Sequence, residues 1–277
     1  PSIAHFVLPS EQAATKVGGM CDTNILNLGP EDLLEQADAL LNAVKSADER
    51  AIVTGGGVGV SATASCLLNS EGILESGLTT SHGLGVQVTI DNDGKMTSSY
   101  QGDSSRTKMV DVPDCIELAV DWAVRTQNPI EVDSGALDAP VLMTSEGFSP
   151  LFSMVVPPAM MGEKLVRKES FWTGKMNQNV MAEDLSIVDN GLLEGGFSSG
   201  SRDGEGVPKR KQSLVESGRL VNMLWSTRDA AQQVAEGRID AAQSTGSAVS
   251  RGHQSPPSTG ASELMMTSTK ASQTFDQ

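Results

Sequence analysis

Between Leu193 and Leu220 the chain reads LEGGFSSGSRDGEGVPKRKQSLVESGRL, which no ordinary core strand or helix can be. Glycines free the backbone for positive φ or for close approach to a neighbour. Asp203 and Glu205 flank Gly204 and place two carboxylates on that permissive segment. Pro208 fixes the exit, three basic residues follow, and an apolar run resumes at Leu214. Taken alone, the string reads as an acidic surface loop ahead of a hairpin. The Lys209-Arg210-Lys211 run reads as a solvated strand edge that discourages edge pairing.

On either side of this loop the periodicities predict an α+β chain. Gly29-Pro30-Glu31-Asp32 is a helix start, and Leu33, Leu34, Ala37, Leu40, Leu41 and Val44 recur at helical spacing. From Ala51 to Tyr100 the pattern turns to strands. Val58–Leu68 ends in the turn Asn69–Gly72, and Leu84, Val86, Val88 and Ile90 alternate up to the Asp93-Gly94 turn. The Gly55-Gly56-Gly57-x-Gly59 run precedes a strand, opens no helix and so lacks the setting of a nucleotide-binding fingerprint. Val112–Arg125 is helical again. This first half is an antiparallel sheet with helices on one face.

Farther along, Ala139–Met143 reads as a short strand and Ser149-Pro150 as a helix start, with Pro157-Pro158 interrupting that helix. A hairpin spans Gln212–Trp225, turning at Glu216-Ser217-Gly218, and Ala230–Glu236 forms a short helix. Gln243–Ser262 is rich in Ser, Gly and Pro, and poor order is expected there and in the last fifteen residues. The expected division is an irregular lead-in at 1–28, an α+β domain at 29–130 and a β-rich domain with hairpins at 131–277. The chain begins at Pro1, as a processed or partial product does.

Composition narrows the partners. A formal net charge of −15 argues against nucleic acid and against a polybasic membrane contact, and 4% aromatic content leaves few stacking platforms. No segment has the length or flanks of a transmembrane or signal element. Cys21, Cys66 and Cys115 make an odd set without CxxC spacing, which fits reduced thiols in a cytoplasmic setting. Cys66 in its β-rich run and Cys115 near a helix start read as structural thiols. No GxSxG elbow supports a serine nucleophile.

Several segments resemble the TldD/PmbA family, the paired subunits of a bacterial and archaeal peptidase. They are GVQVTIDNDGKMTSSY, the APVLM segment leading to KESFWTGKM, and, most specifically, GLLEGGFSSGSRDGEGVPKRKQSLVESGRLVNMLWSTRDAAQ. STGSAVSRG at Ser244–Gly252 is similar to the family's small-residue loop. The likeness runs from about Asp32 to Gly260. Family chains are usually longer at both ends, so the resemblance implies that both domains are truncated here.

The family has two kinds of member. The TldD kind carries HExxxH on a helix, where two histidines on adjacent turns bind zinc and the Glu activates water. In this chain the only histidines are His5, His82 and His253, and the corresponding stretch EGFSPLFSMVVPPAMMGE holds Glu146 without a histidine. The resemblance is therefore to the PmbA (TldE) kind, which lacks the zinc site and pairs with a zinc-bearing TldD-type subunit. It implies no catalytic residue and no metal ligand in this chain, and zinc in the partner. It also implies that Gly195, Gly196, Asp203, Glu205, Gly206, Thr245 and Gly246 line the path of an unfolded peptide. The double proline departs from the family's helix. On this reading the glycines matter more than the charges, so Gly206→Val should harm more than Glu205→Gln. The alternatives are a non-catalytic binding or assembly protein of the same fold and a self-sufficient hydrolase.

Overall fold

The structure, a computed structural model, describes residues 6–130, 135, 141–250, 252 and 254–270. It divides into two compact units, one of Gly19–Ser65 with Ser76–Asp138, the other of Pro1–Gly18, Cys66–Glu75 and Ala139–Gln277.

In the first of these, a single turn α1 (Thr23–Leu26) is capped by the Asp22 carboxylate, which accepts from the amides of Asn24 and Ile25. Helix α2 (Pro30–Ala47) starts where Pro30 and the first-turn acids Glu31 and Asp32 predict. Asp32 reaches back to accept from the Gly29 amide at 2.8 Å. Three strands follow, β1 (Ala51–Leu68), β2 (Leu74–Asn92) and β3 (Lys95–Ser105), forming a sheet of order β1-β2-β3. β2 and β3 are antiparallel across the Asp93-Gly94 turn. Helix α3 (Val112–Arg125) closes the layer. The alternation along β2 does what it predicts: Leu84, Val86, Val88 and Ile90 are buried against Leu40 and Val44 of α2 and Ile116, Ala119, Val120 and Ala123 of α3. Each such side chain contributes about 1.5–3 kcal/mol of burial.

The glycine run lies inside β1, not ahead of it. Gly56 adopts φ +120°, and a Cβ there would sit 2.2 Å from the Gly85 carbonyl oxygen of the neighbouring strand. This local irregularity moves the inward-facing set from Ala51 and Val53 to Val58, so both ends of the run pack on the same core. Beyond Val60 the strand is largely exposed, and Cys66 with it, against its reading as a buried structural thiol; Cys115 is buried.

The second unit opens its helical part with α4 (Ser145–Ala159) and α5 (Gly162–Val166). It continues through β4 (Leu185–Asn190), β5 (Lys211–Glu216), β6 (Arg219–Leu220), α6 (Thr227–Ala235), β7 (Ala248–Val249), β8 (Ser258–Thr259) and β9 (Leu264–Ser268). The sheet order is β6-β5-β4-β9, with β4 antiparallel to both β5 and β9. Ile187, Leu214, Val215, Leu220 and Leu224 pack on Ala159, Met160, Leu165 and Trp172 to form its core. The hairpin turns at Ser217-Gly218, whose φ values of 45° and 79° suit a two-residue turn between twisted strands.

Helix α4 begins at Ser145, capped by the Thr144 hydroxyl, and not at Ser149-Pro150. It runs through Pro157-Pro158, because the two prolines fall in its last turn. The carbonyls they cannot serve belong to exposed Ser153 and Met154, which water can hydrate. The helix then tightens through Met160 N→Pro157 O and Met161 N→Pro158 O bonds. Val141–Met143 are not strand; Ala139 and Pro140 lie outside the described residues. Of the stretches expected to lack order, the described residues instead build β7, β8 and β9, since polar groups there bond to buried partners elsewhere in the chain, while Arg251, His253 and residues 271–277 lie outside the described residues.

Gly56→Ala should lower the free energy of unfolding by about 2–4 kcal/mol, through positive φ and the collision with Gly85. Gly57→Ala, whose Cβ meets nothing within 4 Å, should change it by less than about 1 kcal/mol. Equal urea midpoints for the two variants would refute this account of the strand.

Candidate functional site

The acidic loop is not a solvated surface turn. Asp203 is 3% exposed. Its Oδ1 accepts from the amides of Glu205 at 3.0 Å and Val207 at 2.9 Å, and its Oδ2 from the amide of Ala248 at 3.0 Å. The Gly204 amide returns a bond to the Ala248 carbonyl. One carboxylate thus closes the Asp203–Val207 turn and joins it to β7. Two residues on, Glu205 reaches the start of α6, where Oε2 accepts from the Thr227 amide at 2.6 Å and Oε1 from the Arg228 amide at 3.2 Å. Those amides are orphan donors at the positive end of a helix, so an anion there is well placed. Arg202 clamps the loop from outside, donating to the Gly206 and Gln12 carbonyls and pairing with Glu75 at 2.8 Å.

Gly206 sits at φ +100°, and a Cβ there would come 2.6 Å from Ile73 Cδ1. Gly246 approaches the same loop from the other side, where its Cβ would lie 2.5 Å from the Pro208 carbonyl oxygen. Thr245 is buried, and its hydroxyl accepts from the Trp225 amide at 2.8 Å and meets Ser247 Oγ at 2.9 Å. Five of the expected lining residues, Asp203, Glu205, Gly206, Thr245 and Gly246, are therefore tied into one hydrogen-bonded knot. Gly195 and Gly196 lie in the turn before it, Gly195 bonded to the Gly18 carbonyl and Gly196 to that of Leu193.

Lys209 belongs to the knot too, contrary to its reading as a solvated edge residue, and Arg210 joins it from an exposed position. Lys209 Nζ donates to the Ser198 carbonyl at 2.5 Å and Ser262 Oγ at 3.0 Å, joining the glycine turn to the segment before β9. Arg210 donates to the carbonyls of Thr245 and Ser244. Arg210 and Lys211 both keep the exposed role expected of the run. Further receptors escaped the sequence reading. Ser226 caps α6 by accepting from the Asp229 amide at 3.0 Å, and Asp229 accepts from the amide and hydroxyl of Thr259 at 2.9 and 2.7 Å. The spacing of Ser226 and Asp229, a cap with an acid three residues on, was the available signal.

What this arrangement can do chemically follows from its saturation. Burial pushes the Asp203 and Glu205 carboxyls above their ordinary range, and backbone amides on both pull them back. Every carboxylate oxygen accepts an internal donor, so neither acid is free to exchange protons with a reacting group. Burial likewise lowers Lys209, against the pull of Asp189, Asp203 and Glu263. The residues of the knot include no histidine or cysteine. Helix α4 carries no histidine, and both ring nitrogens of buried His82 are engaged, Nδ1 accepting from the Val110 amide and Nε2 meeting Gln36 Oε1 at 2.7 Å. Among the described residues no three His, Cys, Asp or Glu side chains gather as a metal site would require; His5 and His253 lie outside them.

Removing the Asp203 acceptor should therefore act on stability. Asp203→Ala should cost about 3 kcal/mol by stranding buried amides, and Gly206→Val about the same through strain. Glu205→Gln, which keeps one acceptor oxygen, should cost about 1 kcal/mol. Urea unfolding measures all three, and an Asp203→Ala loss below about 0.5 kcal/mol would mean a solvated loop.

With this geometry in view, two domain matches cover most of the chain. Residues 23–127 match the PmbA/TldA metallopeptidase central domain, and residues 136–276 match the PmbA/TldA metallopeptidase C-terminal domain. The uncharacterised protein MJ0231 of Methanocaldococcus jannaschii is 29% identical over 268 residues, covering 97% of this chain and 60% of that protein. The metalloprotease TldD homolog of Buchnera aphidicola is 25% identical over 201 residues, 68% of this chain and 41% of its own length. TldE from Thermococcus kodakarensis shares the fold with a TM-score of 0.81 at 21% identity, over 96% of this chain and 58% of that one. The chain thus spans no more than 60% of the length of these relatives. By the two domains that it carries in order, the chain belongs to the PmbA/TldD metallopeptidase family.

Proposed function

We propose that this chain is the TldE-type half of a two-subunit peptidase for unfolded peptides, in which a TldD-type partner supplies the zinc. The observation that carries this reading is helix α4. At the position where the resemblance puts the zinc helix of the TldD kind, α4 has no histidine and a single charged residue, Glu146. Leu151, Met154 and Val155 are exposed along it, Met154 by 73%. An apolar helix left open in this way suits a protein partner. Water activation belongs to that partner, and this chain helps enclose the peptide.

Strand β9 supports the second part of the reading. The opposite edge, β6, is short and covered by backbone bonds of Leu220 with Asn177 and Gln178. β9 runs Leu264–Ser268 and pairs with β4 alone among the described strands, with Met265 and Met266 partly exposed. An open, uncharged edge takes an extended peptide through main-chain bonds and reads little of its sequence. The knot around Asp203 then shapes the wall beside the peptide. No helix among the described residues is long and apolar enough to cross a membrane, and cytoplasmic action is part of the proposal.

Co-expression with an HExxxH-bearing relative from the same source tests this, with the tag on the present protein and an unstructured peptide as substrate. The two should co-purify and cleave the peptide, and a chelator should abolish cleavage. Met154→Glu should weaken co-purification about tenfold or more while leaving the fold intact, because it buries a charge in an apolar contact. Failure to co-purify would point to a binding or assembly protein working alone. Chelator-resistant cleavage by this chain by itself would contradict the proposal outright.

A further inference from the structure

His82 continues the inward-facing set of β2 one place beyond Leu84, and it is 0% exposed. Its hydrogen bonds settle where the ring carries its proton. The Val110 amide can only donate, and it meets Nδ1 at 3.0 Å, so Nδ1 presents a lone pair. The proton of the neutral ring is then on Nε2, which donates to Gln36 Oε1 at 2.7 Å. The Gln36 amide is turned to suit, since its own Nε2 donates to Met109 Sδ at 3.8 Å. Met109 precedes Val110, so these bonds close a ring through α2, β2 and the segment that leads into α3.

We infer that His82 is an acid-operated latch: its neutral ring clamps the start of α3 to β2 and α2, and a second proton opens it. An imidazolium donates from both nitrogens. A proton on Nδ1 would point at the Val110 N–H, and that bond would become a repulsion. Nor does a carboxylate wait to pair with the new charge. β1 has no charged residue from Ala51 to Leu68. On β2, Glu75 pairs with Arg202 and Asp91 accepts from the Gly94 amide in the turn. On α2, Asp32 takes the Gly29 amide, and Glu31, Glu35 and Asp38 are exposed. Asp103 of β3 is exposed, as are Lys108 and Asp111 after it, while Arg106 donates to the Thr80 carbonyl. From α3 the same core receives the buried thiol of Cys115. Burial is thus what acts on the ring, and it holds His82 below its ordinary 6.5.

The latch sits where several segments meet. His82 pairs with Ser105, at the end of the sheet away from the Asp93-Gly94 turn. One inward place farther along β2, Thr80 receives the lead-in, bonding to the Met20 carbonyl and the Asp22 amide. Val110 is itself part of the core, with Leu40, Val44 and Ile116. Opening therefore loosens one end of that core and leaves the Val86–Ile90 end closed. A histidine kept neutral by burial stabilises fully above its unfolded value, ordinarily 6.5, and that stability is lost as pH falls through the lower folded value. No partner or substrate enters, so the latch stands or falls apart from the peptidase reading.

Nitrogen-15 NMR of the histidine rings tests it, alongside His82→Asn. At about pH 7 the His82 ring should carry its proton on Nε2, and its titration midpoint should fall below 6.5. Exchange of the Val110 amide, corrected for its intrinsic pH dependence, should rise about tenfold in the wild type from roughly pH 7 to 5. In His82→Asn, whose side-chain oxygen can still accept from Val110 and cannot be charged, the rise should stay below about twofold. A proton on Nδ1 at neutral pH, or a midpoint at or above 6.5, would overturn the inference even if the variant fails to fold. Equal pH dependence of Val110 exchange in the two proteins would overturn it as well.

Discussion

The buried carboxylate of Asp203 is the interaction on which the second unit is organised. Three amides converge on it, two from its own turn and one from Ala248, more than thirty residues downstream. A carboxylate taken out of water loses its hydration, and only donors fixed around it offset that loss. Here the backbone supplies them, and in doing so brings β7 to the loop. Glu205 extends the same principle to α6. The loop is thus a set of anionic anchors, each seated on amides that would otherwise lack partners.

That role changes what the family's acidic loop means in this chain. Acids committed to structure make poor proton shuttles, and a lysine seated among carbonyl and hydroxyl oxygens makes a poor nucleophile. What the unit leaves open is of another kind, the edge of β9 and the apolar length of α4. Both suit macromolecular contact better than chemistry, which is what the proposed role as half of a pair requires.

The sequence disclosed most where a period or a turn was strictly local. The alternation Leu84–Ile90, the Asp-Gly turn, the Pro30 start of α2 and the whole of α3 are set by neighbours in the chain. It disclosed least where distant partners decide. Nothing near Ser244–Ser247 tells that Trp225 and Arg210 will bury it, so a polar stretch read as lacking order. Lys209 looked wholly solvated because its acceptors, the Ser198 carbonyl and the Ser262 hydroxyl, belong to other segments of the chain. The prolines of α4 misled for the opposite reason, since a local rule holds only where the carbonyl left behind is buried. Five of the seven expected lining residues, Asp203, Glu205, Gly206, Thr245 and Gly246, are held together by contacts that no spacing reveals.

The most direct measurement is the peptidase turnover of a reconstituted pair carrying Glu205→Gln in this chain, scored per folded pair. As a structural anchor that keeps one acceptor, the variant should stay within about threefold of wild type, while losing the Glu of the partner's HExxxH should abolish cleavage. A fall of about a hundredfold with the pair still assembled would make Glu205 part of the chemistry and contradict the account.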